Sequence, residues 1–100
     1  MNNNDNLNIL RIIEKKSYNN QRNLANALGF SLGKINYCLG ELSKKGLIKI
    51  NNFKKNSKKI KYMYLLTPKG FTLKTKLTIN FMKRKMQEYE ELKNELKKNV

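Results

Sequence analysis

Apolar residues recur first at Leu7, Leu10 and Ile13, with Ile9 and Ile12 beside them. That spacing predicts a helix with a broad buried side, running to about Lys16. Asp5 or Asn6 can cap it, after a polar leader, Met1–Asn4. Ser17–Asn19 is a connector, in which Tyr18 either adds one rung of strand or simply packs. Asn20 then caps a short helix: Leu24 and Leu28 share a face, and Ala25 and Ala27 are small enough for close approach. Gly29 ends it, because a left-handed C-terminal residue costs glycine least. Phe30 is an apolar plug. Ser31 caps a second helix, closed by Gly46, whose apolar set Ile35, Cys38, Leu39 and Leu42 follows i, i+3, i+4, i+7. Ala25, Gly29 and Ile35 stand where a helix-turn-helix needs a small, a turn and a branched core residue.

The period then changes. LIKIN, residues 47–51, reads as a strand, and IKYMYLLT, residues 60–67, as another, with Ile60, Tyr62, Tyr64 and Leu66 on one face. Between them NFKKNSKK, residues 52–59, reads as a loop with Phe53 its only apolar member. Three helices, a strand, a basic loop and a strand are the winged-helix order. The expected class is mainly α with a small β-hairpin wing.

Thr67 as cap and Pro68 at the first helical position start a last helix that can run to about Asn99. Phe71, Leu77, Phe81, Met82, Met86, Tyr89, Leu92 and Leu96 recur near helical spacing, and Glu90–Lys93 and Glu95–Lys98 support the exposed side. Thr75–Ile79 has weak helix propensity, so one alternative is a break near Thr78 that folds the helix back on its own domain. Unbroken, about 30 residues span about 45 Å, whereas a compact chain of this length has a radius of gyration of about 13 Å. The far end then overhangs. Leu77, Phe81, Met82, Met86, Tyr89, Leu92 and Leu96 are its dimerisation residues, with a second copy the simplest partner. The organisation is a winged helix-turn-helix unit over residues 1–68 and a dimerisation helix, continuous with it, over 69–100.

Charge names the partner. Lys and Arg number 22 against 7 Asp and Glu, a formal charge of +15. Residues 1–80 hold 16 basic and 3 acidic residues; residues 81–100 hold 6 and 4. Codon bias towards A and T would raise glutamate along with lysine, so it does not account for the asymmetry. So positive a body calls for a polyanion, nucleic acid first. A basic amphipathic helix with a large aromatic apolar face, the mark of an anionic membrane surface, is absent. No apolar run approaches the roughly 18–20 residues of a membrane span. MNNNDNLN does not read as a signal peptide, and one cysteine allows no internal disulfide, so the expected location is the cytoplasm. Without histidine, and with one cysteine, no metal cluster is expected. No Gly-rich phosphate loop appears, and the acids are too few for a general acid/base pair, so neither a cofactor nor an enzyme is expected.

At 100° per residue from Ile35, the opposite side of the second helix carries Gly33, Tyr37, Gly40 and Lys44, flanked by Lys34 and Asn36. A helix that only faces water is usually filled with Glu, Lys and Gln pairs. Here two glycines permit close approach, and Lys34 sits in the first turn, where the helix dipole disfavours cations. The plain alternative is a surface helix of a lysine-rich protein. On the functional reading, the DNA-reading helix spans Ser31–Lys45. Ser31 and Gly33 lie at its entry, and Lys34 and Lys44 contact phosphates or guanine edges. Asn36 pairs with adenine, and Tyr37 meets a thymine methyl or a phosphate. Gln21 and Arg22, with the free N–H groups beside them, hold a phosphate. Lys54, Lys55, Lys58 and Lys59 fasten the wing to backbone or minor groove. Cys38 reads as a small core residue; the sharper alternative is an oxidation sensor, which needs an exposed, low-pKa thiol. Rival functions are a protein-binding winged-helix adaptor and an RNA-binding module.

QRNLANALGFSLGKINYCL, KKGLIKI and YLLTPKG, the last with Leu66, Thr67 and Gly70, resemble the MarR-type winged helix-turn-helix transcriptional regulators. SLGKINYCL, NFKKNSKK and YLLTPKG look close to a compact subgroup associated with exopolysaccharide gene clusters. The resemblance covers about residues 7–96. It implies a homodimer on a pseudo-palindromic promoter site, usually as a repressor, with the recognition helix in the major groove and the wing at Asn52–Lys59 in the neighbouring minor groove. At 100 residues the chain is shorter than most members, which close their dimer with more helix at both ends. Many members hold an aromatic ligand between the dimer helices and the DNA-binding lobe; nothing in these residues supports such an effector.

Overall fold

The computed structural model describes residues 3–15, 20–56 and 59–98, and only the backbone of 52–56 and 59–62. In order, the elements are α1 (Asn3–Lys15), α2 (Gln21–Leu28), α3 (Leu32–Lys44), β1 (Ile48–Asn56), β2 (Lys59–Leu66) and α4 (Pro68–Lys98). The expected class holds: mainly helical, with one two-stranded antiparallel hairpin and a long final helix. The connector with Tyr18, and Lys58 in the wing, lie outside the described residues.

α1 begins at Asn3, ahead of the expected cap. Asp5 and Asn6 are therefore inside the helix, and Asp5 places its carboxylate in the first turn, where the dipole favours it. The helix pair folds as its caps dictate. Asn20 Oδ1 accepts from Asn23 N at 2.7 Å, Ser31 Oγ accepts from Lys34 N at 3.1 Å, and Gly29 turns the chain at φ 70°.

The hairpin departs from expectation. Pairing does not stop near Asn51 but runs from Ile48↔Leu66 to Asn56↔Lys59, with an irregularity between Lys54 and Asn56. What read as a loop over 52–59 is mostly strand. Ladder hydrogen bonds join backbone to backbone and need no apolar side chain, so a polar segment pairs once the register is set at its buried root.

α4 is unbroken. Leu77 is buried in the domain core, and Leu73 and Phe81 pack against it, so tertiary packing overrides the weak propensity near Thr78. Thr72, Thr75 and Thr78 return their hydroxyls to the carbonyls of Pro68, Phe71 and Lys74 at 3.1, 3.1 and 2.7 Å. Leu77, expected at a dimer seam, is thus spent inside its own protomer, and Phe81 partly so. The core gathers Leu7, Ile9, Leu10 and Ile13 from α1, Leu24 and Ala25 from α2, four residues of α3, Leu47, Ile48 and Tyr64. Beyond it α4 overhangs. The molecule measures 68 × 26 × 21 Å, and Met82, Met86, Tyr89, Leu92 and Leu96 are 56–68% exposed.

Candidate nucleic-acid interface

α3 is pinned from beneath by Ile35, Cys38, Leu39 and Leu42, which leaves its opposite face outward. Tyr37 is 59% exposed, with Gly33, Asn36, Gly40 and Lys44 exposed around it. A Cβ added at Gly33 or Gly40 would meet nothing within 4 Å. The fold does not demand either glycine, so both leave bare backbone facing outward. Lys44 stands 3.7 Å from Glu41, a loose exposed pair worth little and easily exchanged for a phosphate.

The start of α2 meets this face. Gln21 Nε2 donates to Asn36 Oδ1 at 3.1 Å, so two of the expected DNA-contacting side chains are tied together. That bond orients the Asn36 amide and leaves its N–H₂ free of this contact. Asn20, Gln21, Arg22 and Leu32 line a shallow concavity at the α2 N-terminus, the end of a helix that favours negative charge. Ser31 is occupied as the α3 cap.

Lys34, exposed on the flank of this face, also has a partner on another helix. Its ammonium is 3.1 Å from Asp5 Oδ2 on α1 and 4.1 Å from the Phe30 ring centroid. It is held against the protein on two sides. The local pattern gave no signal of Asp5 as partner, because 29 positions separate the two in sequence. Three carboxylates serve residues 1–80, and each meets a lysine: Asp5 with Lys34, Glu41 with Lys44, Glu14 with Lys74. The remaining cations include exposed Lys49 at the wing root, which the sequence reading did not single out. The backbones of Lys54, Lys55 and Lys59 lie in the distal half of the hairpin, on the wing; their side chains are outside the described residues.

Cys38 is 1% exposed, and burial, first, then the nearby Asp5 carboxylate push its thiol above the ordinary value. A protonated, covered sulfur lacks both properties of an oxidation sensor. Among the described residues no group of acids and cysteine could hold a metal, and no helix is long and apolar enough to cross a membrane.

Residues 6–49 match a family model described as winged helix-turn-helix DNA-binding. No curated protein matches the chain. Among solved structures the fold is similar to a MarR/EmrR family transcriptional regulator from Acinetobacter sp. ADP1, with TM-score 0.69 and 20% identity over 87% of this chain and 60% of that one. It is similar also to the adhesin competence repressor AdcR of Streptococcus pyogenes, at 0.67 and 17% over 92% and 64%. A third is the transcriptional regulator BldR of Sulfolobus solfataricus, at 0.65 and 18% over 95% and 73%. The chain thus spans somewhat under two thirds of the first two of these structures. At such identities the likeness is one of fold.

Proposed function

We propose that this chain is a non-catalytic, sequence-specific DNA-binding transcriptional regulator of the MarR type, acting in the cytoplasm as a homodimer and repressor on a pseudo-palindromic operator. The observation that carries the reading is the outward face of α3: bare backbone at Gly33 and Gly40 around Tyr37, Asn36 and Lys44, on a helix whose other side is wholly buried. The winged helix-turn-helix model over residues 6–49 supports it. α3 enters the major groove, where Asn36 and Tyr37 read base edges and Lys44 takes a phosphate. The α2 N-terminus, with Gln21 and Arg22, holds a second phosphate, and the wing lysines 54, 55, 58 and 59 follow backbone or minor groove. SLGKINYCL and YLLTPKG carry the narrower placing among exopolysaccharide-associated regulators.

Selection of duplexes from a random pool tests this. The expected product is a two-fold site with half-sites one helical turn, about 34 Å, apart. Equal recovery of all duplexes, or preferential capture of RNA over the selected duplex, would replace the reading with a non-specific or RNA-binding one.

Lys34 then acts through its tether. Held by Asp5, it contributes no phosphate contact, and the α3 entry is less adhesive to arbitrary DNA. Asp5→Asn releases it. The variant is expected to bind random duplex more tightly, with a salt slope steeper by about 0.9 per protomer. A slope equal to that of the parent protein would show that Lys34 stays off the backbone regardless of Asp5.

A further inference from the structure

We infer that the exposed stripe of α4 docks a second copy of this chain as an antiparallel two-helix coil, in one register centred between Gln87 and Glu88. The inference deepens the homodimer reading above and rests on it.

Ile79, Met82, Met86, Tyr89 and Leu96 follow alternating steps of three and four, broken only by Lys93, and all five are substantially exposed. This is a heptad seam. It lies on a different side of α4 from Leu73, Leu77 and Phe81, which face the core. The helix therefore carries two apolar faces, one of them unpartnered in the protomer.

Charge and Lys93 select the arrangement. Were the helices parallel and in register, Lys93 would face its own copy in the seam. Antiparallel about the 87/88 axis, Ile79 meets the partner's Leu96, Met86 meets the partner's Tyr89, and Lys93 lies along the partner's Met82, with its ammonium free to reach water. The same register sets Lys83 beside the partner's Glu90, twice by symmetry. A shift of one heptad either way fails. One direction places Lys83 and Lys85 against their own copies; the other places Glu90 against Glu90 and Lys83 against Lys97.

Two features of the protomer agree. A shallow groove along α4, lined by Phe71, Thr75 and Ile79 among others, lies where the partner's Leu96 arrives. The domain grips α4 around Leu73 and Leu77, about 19 Å along the helix from the proposed axis. The two grips are then about 38 Å apart, close to the roughly 34 Å between successive major-groove entries on one face of DNA. A parallel pair would set them only about 8–10 Å apart.

Charge exchange tests the register in the DNA-free protein, so a failed coil is distinguishable from a failed DNA reading. By sedimentation equilibrium Glu90→Lys is expected to weaken self-association roughly tenfold, and adding Lys83→Glu to restore it. Rescue by Lys85→Glu instead would indicate the parallel pair, in which Lys85 and not Lys83 flanks Glu90, and would overturn the proposal. So would rescue by neither change, or a parent chain that remains monomeric at about 100 µM. Independently, Ile79→Cys with Leu96→Cys should give a covalent dimer on mild oxidation, and Ile79→Cys alone should not; the reverse pattern excludes the antiparallel coil.

Discussion

Gly70→Ala should destabilise the protein by about 3 kcal/mol, the upper end of the usual cost of overpacking. Gly70 is buried in the first turn of α4, and a Cβ there would run into the backbone carbonyl group of Leu47, with the carbonyl carbon only 2.9 Å away. Neither side has a rotamer with which to yield. The junction is tied on both flanks. Thr67 N donates to Leu47 O at 3.2 Å, Thr67 Oγ1 donates to Gly46 O at 2.6 Å and accepts from Gly70 N at 3.0 Å, and Lys69 Nζ donates to Lys45 O at 3.0 Å. An added methyl must therefore push α4 off the end of α3 and break several of these bonds. In urea the midpoint is expected to fall by roughly 2 M, at the low m-value of a chain this size. Gly40→Ala is the matched control: it lies mid-helix with open space at its Cβ position, so the same substitution should stabilise by about 0.5–1 kcal/mol. A Gly70→Ala variant as stable as its parent would mean that the α3–α4 junction is looser than the structure has it.

Affinity for the operator should collapse with salt. A dimer making about eight phosphate contacts gives a log–log slope near −7. Raising monovalent salt from about 50 to about 200 mM should then weaken binding about 10,000-fold. The charge behind this is concentrated: 16 basic residues against 3 acids in the first 80, with the acids each spent on a lysine within the fold. The cations on the α2 entry, at the end of α3 and along the wing remain for the polyanion. A fluorescence titration across salt reads the slope directly. A slope shallower than about −2 would be incompatible with two helices and two wings on the phosphate backbone, and would favour a protein-binding role for the same fold.

The helix pair was legible because every signal in it is local. A cap bonds two or three residues ahead, a positive-φ glycine acts where it stands, and the face of a helix follows from a period of 3.6. Asn20, Gly29, Ser31 and the buried quartet of α3 all fall as the pattern says. The wing was legible as a hairpin but not in its length, since the pairing of 52–56 with 59–62 is a backbone event invisible to hydropathy. Candidate site residues on α2 and α3 could be found from helical faces alone. What each side chain touches could not.

The sequence by itself determined the order of elements, the caps of α2 and α3, the buried face of each helix and the positive charge of the body, because these depend on neighbours a few residues apart and on composition. Only the tertiary structure decided that Lys34 is tethered to Asp5, that Gln21 holds Asn36, that Leu77 belongs to the protomer's core, and that α4 runs straight past Thr78. Each of these rests on groups distant in the chain that meet only after packing, and packing energies outweigh local propensity wherever the two disagree.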